Sequence, residues 1–143
     1  SLLHKSGFIC VVITNQSVVG RGIISQEQLD IIHKFLCDEV VRFGGKISEI
    51  FACTDHPKQA TNRRKPASGM LIEALEKYSA KPERTPFIGD AITDMEAAFS
   101  AGCERHLVLT GKGKKTAETL PELMKPVHVH DNLLEVAKFL ITR

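Results

Sequence analysis

The sequence contains no tryptophan and one tyrosine, and it has no apolar tract approaching the roughly 20 residues that a membrane-spanning helix needs. Without an aromatic platform or an extended basic face, it lacks the features that hold a nucleic-acid strand. Its net charge is only +2, too small to argue for a nucleic-acid or membrane partner. Lys112, Lys114 and Lys115 make a local basic patch that reads as a solvated, mobile loop. The four cysteines, Cys10, Cys37, Cys53 and Cys103, form no C-x-x-C pair and no dense framework. That usage fits a reducing cytoplasm rather than secretion, and Cys10, inside an apolar run, reads as a small core residue. No signal-peptide pattern, internal repeat or low-complexity segment is visible.

What is there is an ordinary globular composition, 43% hydrophobic and 25% charged over 143 residues, enough for a single domain with a proper core. Phe8 to Thr14 is apolar and β-branched, which predicts a strand buried on both faces. Ser25 with Gln28 forms a capping box, and Leu29, Ile32, Leu36, Val40 and Phe43 follow at helical spacing until Gly44-Gly45. Ile47 to Cys53 predicts a second strand, and Ser68 is placed to cap a helix carrying Leu71, Ala74, Leu75 and Tyr78. Phe87 to Gly89, Arg105 to Thr110 and Val127 to His130 read as further short strands. Helices are predicted from Asp94 to Ala101 and after Asp131-Asn132, the latter presenting Leu133, Ala137 and Leu140. This alternation predicts an α/β fold with a parallel sheet whose strand C-termini share one edge. The opening residues SLLHKSGF look like the last turn of a helix closed by Gly7. A domain rarely begins there, so further sequence is expected before Ser1.

Phe87 to Ala98, FIGDAITDMEAA, is the stretch around which the rest is organised. A strand, a tight glycine turn and an acid at the mouth of a helix is where open parallel sheets put their chemistry. Asp90 and Asp94 suit a hard cation such as Mg²⁺, or else cap the helix and favour its dipole. Thr14 and Asn15 end the first strand, and Arg64 and Lys65 precede another helix. A hydroxyl, an amide, two cations and two carboxylates gathered at one edge make a phosphate site, in which Lys65 neutralises developing charge. Taken singly, residues 14–17 read equally as a turn and Arg63 to Lys65 as a solvated charge run.

The motifs TNQS with GRG, RKP-x-x-GM and GD-x-x-x-D-M-x-A-A, in this order, resemble the haloacid-dehalogenase-like (HAD) phosphatases across essentially the whole chain. Within them the chain is most similar to the heptose-bisphosphate and histidinol-phosphate phosphatase group. The resemblance implies a Rossmann-like HAD fold, with a mostly parallel sheet and helices on both faces, over residues 1–143. It implies a compact cytosolic monomer without a large cap domain. By resemblance Thr14 binds the transferring phosphoryl group and Lys65 neutralises it. Asp90 ligates Mg²⁺ and Asp94 supports the metal, while Asn15, Arg21 and Arg64 face a phosphorylated sugar substrate. Such enzymes work through an aspartyl-phosphate, with a second aspartate as acid and base.

The chain departs from that pattern in three places. No two of Asp30, Asp38, Asp55, Asp90, Asp94 and Asp131 stand one residue apart, so the family's D-x-D nucleophile motif is absent. In the family it lies on a central strand before Phe8, between the strands at Phe8 and Phe87. The expectations are therefore an N-terminally incomplete sheet, no turnover by these residues alone, and self-association through exposed strand edges. The structural zinc loop of many members keeps only Cys53, since Asp55, Thr61 and Arg63 replace the other ligands and His56 adds one at most. Four N or S ligands are the norm, so zinc is expected to be absent. Finally, Ala91 stands where a basic residue often follows the GD, which removes one possible phosphate contact. The resemblance implies a sugar-bisphosphate phosphatase, first of all for D-glycero-D-manno-heptose 1,7-bisphosphate at the 7-phosphate, with a histidinol-phosphate phosphatase or a catalytically silent phosphate-binding module as the alternatives.

Overall fold

Alternating strands and helices in the sequence become two parallel sheets in space. The structure is a computed structural model describing residues 1–143, and it divides into two units, Ser1–Arg64 and Lys65–Arg143. No helix is long and apolar enough to cross a membrane.

The first unit opens with a short helix α1 (Leu2–Lys5), closed by Gly7 at φ +84°, a left-handed position that suits glycine. Strand β1 (Val11–Asn15) pairs in parallel with β2 (Glu49–Cys53), Val11 opposite Glu49 and Asn15 opposite Cys53. Between them run a single turn α2 (Ser17–Gly20) and the long helix α3 (Gln26–Arg42). Ser25 and Gln28 make the expected reciprocal capping box, the Gln28 amide donating to Ser25 Oγ and the Ser25 amide to Gln28 Oε1. Gly44 stops the helix at φ +74°.

Two expectations about this unit are corrected. The first strand starts at Val11 rather than Phe8, and every residue in it is half-buried rather than buried on both faces. Its only ladder partner is β2, so the other edge lacks a neighbouring strand. Of the α3 stripe only Leu29 is buried, whereas Ile32, Leu36 and Phe43 are exposed at 53%, 40% and 72%.

The second unit carries the sheet β3 (Pro86–Gly89), β4 (Glu104–Val108) and β5 (His128–His130), all parallel and in that order. Its helices are α4 (Gly69–Lys77), α5 (Ile92–Ala101), α6 (Gly113–Thr119) and α7 (Leu133–Ile141). Successive strand residues face opposite ways, and β4 shows it. Leu107 packs with Met95 of α5 and Met124, while the His106 ring lies 5.8 Å from Phe139 of α7. Helices thus cover both faces of this sheet. Burial pushes the His106 imidazole down to about 4, so the ring is neutral at ordinary pH.

Gly102 ends α5 at φ +75°, as expected, and Asn132 rather than Asp131 caps α7 by accepting from the Glu135 amide. Three local expectations shift. Ser68 precedes α4 without a side-chain capping bond. Leu133 is exposed, and Val136 joins Ala137 and Leu140 on the buried side of α7. The glycine- and lysine-rich segment expected to be a mobile loop becomes the start of α6, tied down by the contacts described next.

Candidate active site

The glycine turn after β3 fixes the site in the second unit. A Cβ at Gly89 would stand 2.5 Å from the Asp94 carboxylate, so the strand must end on a residue without one. Asp94 sits in the first turn of α5 and is buried. Its Oδ2 accepts from the amides of Asp90 and Ala91 at 3.2 and 3.1 Å. Ala91 has no acceptor to return, so this is half of a capping box. The other oxygen, Oδ1, lies 2.6 Å from Lys65 Nζ, with both side chains about 10% exposed. Lys65 Nζ also lies 5.8 Å from the centre of the Phe87 ring, a cation–π contact.

Asp90, by contrast, is half-buried. Its Oδ2 accepts from the Lys112 amide at 2.8 Å, its carbonyl accepts from Thr116 Oγ1 at 2.8 Å, and its Oδ1 takes no protein hydrogen bond. Gly111, at φ +57°, is where a Cβ would come within 2.2 Å of that carboxylate. These contacts draw the lysine-rich segment onto Asp90 and start α6. Asp90 therefore offers a hard oxygen with a free lone pair, which fits Mg²⁺. Both Asp94 oxygens already have partners, Oδ2 the two turn amides and Oδ1 the Lys65 ammonium, so Asp94 ties the lysine to the turn.

The remaining expected residues lie in the first unit. Thr14 and Asn15 end β1, and Thr14 Oγ1 accepts from Gln16 Nε2 at 3.0 Å. The Gln16 amide donates to Cys53 O at 2.7 Å, and α2 begins at once. A Cβ on Gly20 would lie 2.2 Å from Thr54 O, which makes glycine obligatory where α2 meets the loop after β2. Arg21 follows α2 and is exposed. Arg64 is half-buried, its Nη1 a long 3.5 Å from Asp55 O.

The 53–63 loop is held by its own side chains. Asp55 Oδ2 accepts from both the amide and the hydroxyl of Thr61 at 2.7 Å, hydrogen bonds that hold its carboxyl below the usual range. Burial pushes the Cys53 thiol up. The sequence reasoning missed one cluster in the second unit, Glu104, His106, His128 and His130. The signal was E-x-H on one strand and H-x-H on the next.

A carboxylate at a strand tip, steadied by a buried lysine–aspartate pair, marks this as an α/β protein built to handle phosphate. The chain belongs to the HAD-like hydrolases: the HAD-hyrolase-like family matches over residues 62–136. It is 36% identical over 140 residues to the D-glycero-beta-D-manno-heptose-1,7-bisphosphate 7-phosphatase of Pseudomonas putida, covering 97% of this chain and 78% of that protein. The enzyme of the same name from Neisseria meningitidis serogroup A is 32% identical over 142 residues, covering 99% and 76%. Among solved structures, the D,D-heptose 1.7-bisphosphate phosphatase of B. bronchiseptica, complexed with magnesium and phosphate, superposes with TM-score 0.92 at 33% identity, covering 98% of this chain and 78% of that one. The Burkholderia thailandensis enzyme gives 0.78 at 32%, covering 99% and 81%.

Proposed function

We propose that the chain provides the phosphate- and metal-binding machinery of a Mg²⁺-dependent phosphatase acting on D-glycero-D-manno-heptose 1,7-bisphosphate at the 7-phosphate. The observation that carries this is the buried Lys65–Asp94 pair beneath Asp90, in a chain similar over almost its full length to enzymes of that name. In this reading residues 1–143 work as one domain in the cytoplasm, where four unpaired thiols are at home. Asp90 holds Mg²⁺, which when bound polarises a phosphoryl oxygen, and Asp94 orients Lys65. Lys65 neutralises the phosphoryl group, and Thr14 Oγ1 with the amides beyond it hydrogen-bonds the remaining oxygens. Asn15, Arg21 and Arg64 receive the sugar and its second phosphate. Structural zinc is no part of this reading, because Asp55 and Thr61 already close the loop on each other.

A second reading is favoured by the missing D-x-D pair. With no aspartyl nucleophile among these residues, the 143-residue chain alone binds phosphate without hydrolysing its ester. The test is phosphate release from heptose bisphosphate and from histidinol phosphate. The chain alone is expected to release none. Fusion of a D-x-D strand from the P. putida relative ahead of Ser1 is expected to restore Mg²⁺-dependent release, faster from heptose bisphosphate. Equal, feeble rates on both substrates would overturn the assignment of substrate.

A further inference from the structure

The face of β4 and β5 that carries histidine takes no part in the site above. Glu104 and His106 are two residues apart on β4, His128 and His130 two apart on β5, and His106 stands directly opposite His128. Period-two alternation therefore puts all four on one face. Glu104 is the first residue of β4 and lies opposite Pro86, the first residue of β3, whereas Asp90 follows the last. The cluster thus starts from the end of the sheet away from Asp90.

Its geometry is that of a ligand set. Glu104 Oε1 lies 3.3 Å from His106 Nε2 and 3.3 Å from His128 Nε2, and the three donor atoms all fall within 4.8 Å of one another. Around a tetrahedral ion with bonds of about 2.0–2.2 Å, neighbouring ligand atoms are about 3.3–3.6 Å apart. The His106 ring is wholly buried, its Nδ1 lies 3.1 Å from His130 Nε2, and its Nε2 has no hydrogen-bond partner. A buried polar atom without a partner is rare. Here the orphaned nitrogen faces a carboxylate oxygen and a second imidazole nitrogen, an arrangement that a cation between them satisfies.

We propose that Glu104, His106 and His128 bind a divalent transition-metal ion of the Zn²⁺ class, with His130 orienting the His106 ring. Two imidazoles and a carboxylate select such an ion over Mg²⁺. The hydrogen bond on Nδ1 is the outer partner that a ligating histidine ordinarily keeps. His128 is 42% exposed, so the open side admits water as a fourth ligand. Arg143 pairs with both oxygens of Glu104 and competes with the ion for that carboxylate. The ion would clamp β4 to β5 and replace Arg143 as the counter-charge, a structural and regulatory role apart from phosphate chemistry.

The test is Co²⁺ titration of the untagged, chelator-stripped chain, followed by displacement with Zn²⁺. One equivalent is expected to bind, with the strong visible absorption of four-coordinate Co²⁺, and Zn²⁺ is expected to raise the melting temperature. His128→Ala removes a half-exposed ring and is expected to melt like the parent without metal, but to bind about tenfold or more weakly. Arg143→Gln is expected to tighten binding, and Cys53→Ser to leave it unchanged. Absence of saturable binding in the parent, full binding in a folded His128→Ala, or loss of binding in Cys53→Ser would each overturn the proposal.

Discussion

Lys65 and Asp94 meet in a setting about 10% exposed, where removing one partner strands the other's charge. Breaking a buried pair from one side costs about 3–5 kcal/mol. Lys65→Met is expected to lower the unfolding free energy measured in urea by that amount, and adding Asp94→Leu to recover only part, since the Asp90 and Ala91 amides then lose their acceptor. Burial pushes the Cys103 thiol up to about 11. The thiolate is the nucleophile, so Cys103 in the native chain is expected to resist iodoacetamide at pH 8 and to react once unfolded, as read by mass spectrometry. The placement of Asp90 and Asp94 where β3 passes into α5 was legible, because an apolar run closed by glycine–aspartate ahead of a helical pattern reads as a strand-to-helix turn. How Asp94 divides its oxygens was not legible, because that depends on where the Lys65 side chain arrives from another element. The histidines escaped notice because their alternation was used to locate strands and not to ask which polar groups would share a face.

At the scale of elements, α3 was readable from its cap and spacing. Ser25→Ala is expected to cost about 1 kcal/mol and Gly20→Ala about 1–3 kcal/mol through its clash with Thr54 O, both measurable by chemical denaturation. The start of α6 was not readable. Its residues Gly113, Lys114 and Lys115 have weak or solvent-seeking tendencies, and tertiary bonds to Asp90 from Lys112 and Thr116 override them. The apolar positions of α3 were correctly placed on a helix, yet periodicity says only which residues share a face, and nothing about whether another element covers it.

For the molecule as a whole, Ile31, Ile32, Phe35 and Leu36 leave α3 with exposed apolar side chains, more than an isolated surface residue or two. The chain is expected to self-associate with rising concentration by light scattering, and Ile32→Lys with Phe35→Glu to suppress it without altering the melt. Parallel α/β architecture followed from the order of elements, and the strands divide into a sheet of two and a sheet of three. That division has a kinetic consequence. Each sheet is made from strands consecutive in the chain, so either can lose its ladder without unzipping the other's. Their protections differ, since β1 is half-buried throughout while β4 holds His106, Leu107 and Val108 fully inside. Amide hydrogen exchange is therefore expected in two separated phases, with Val11 to Asn15 labelled early and the centre of β4 last.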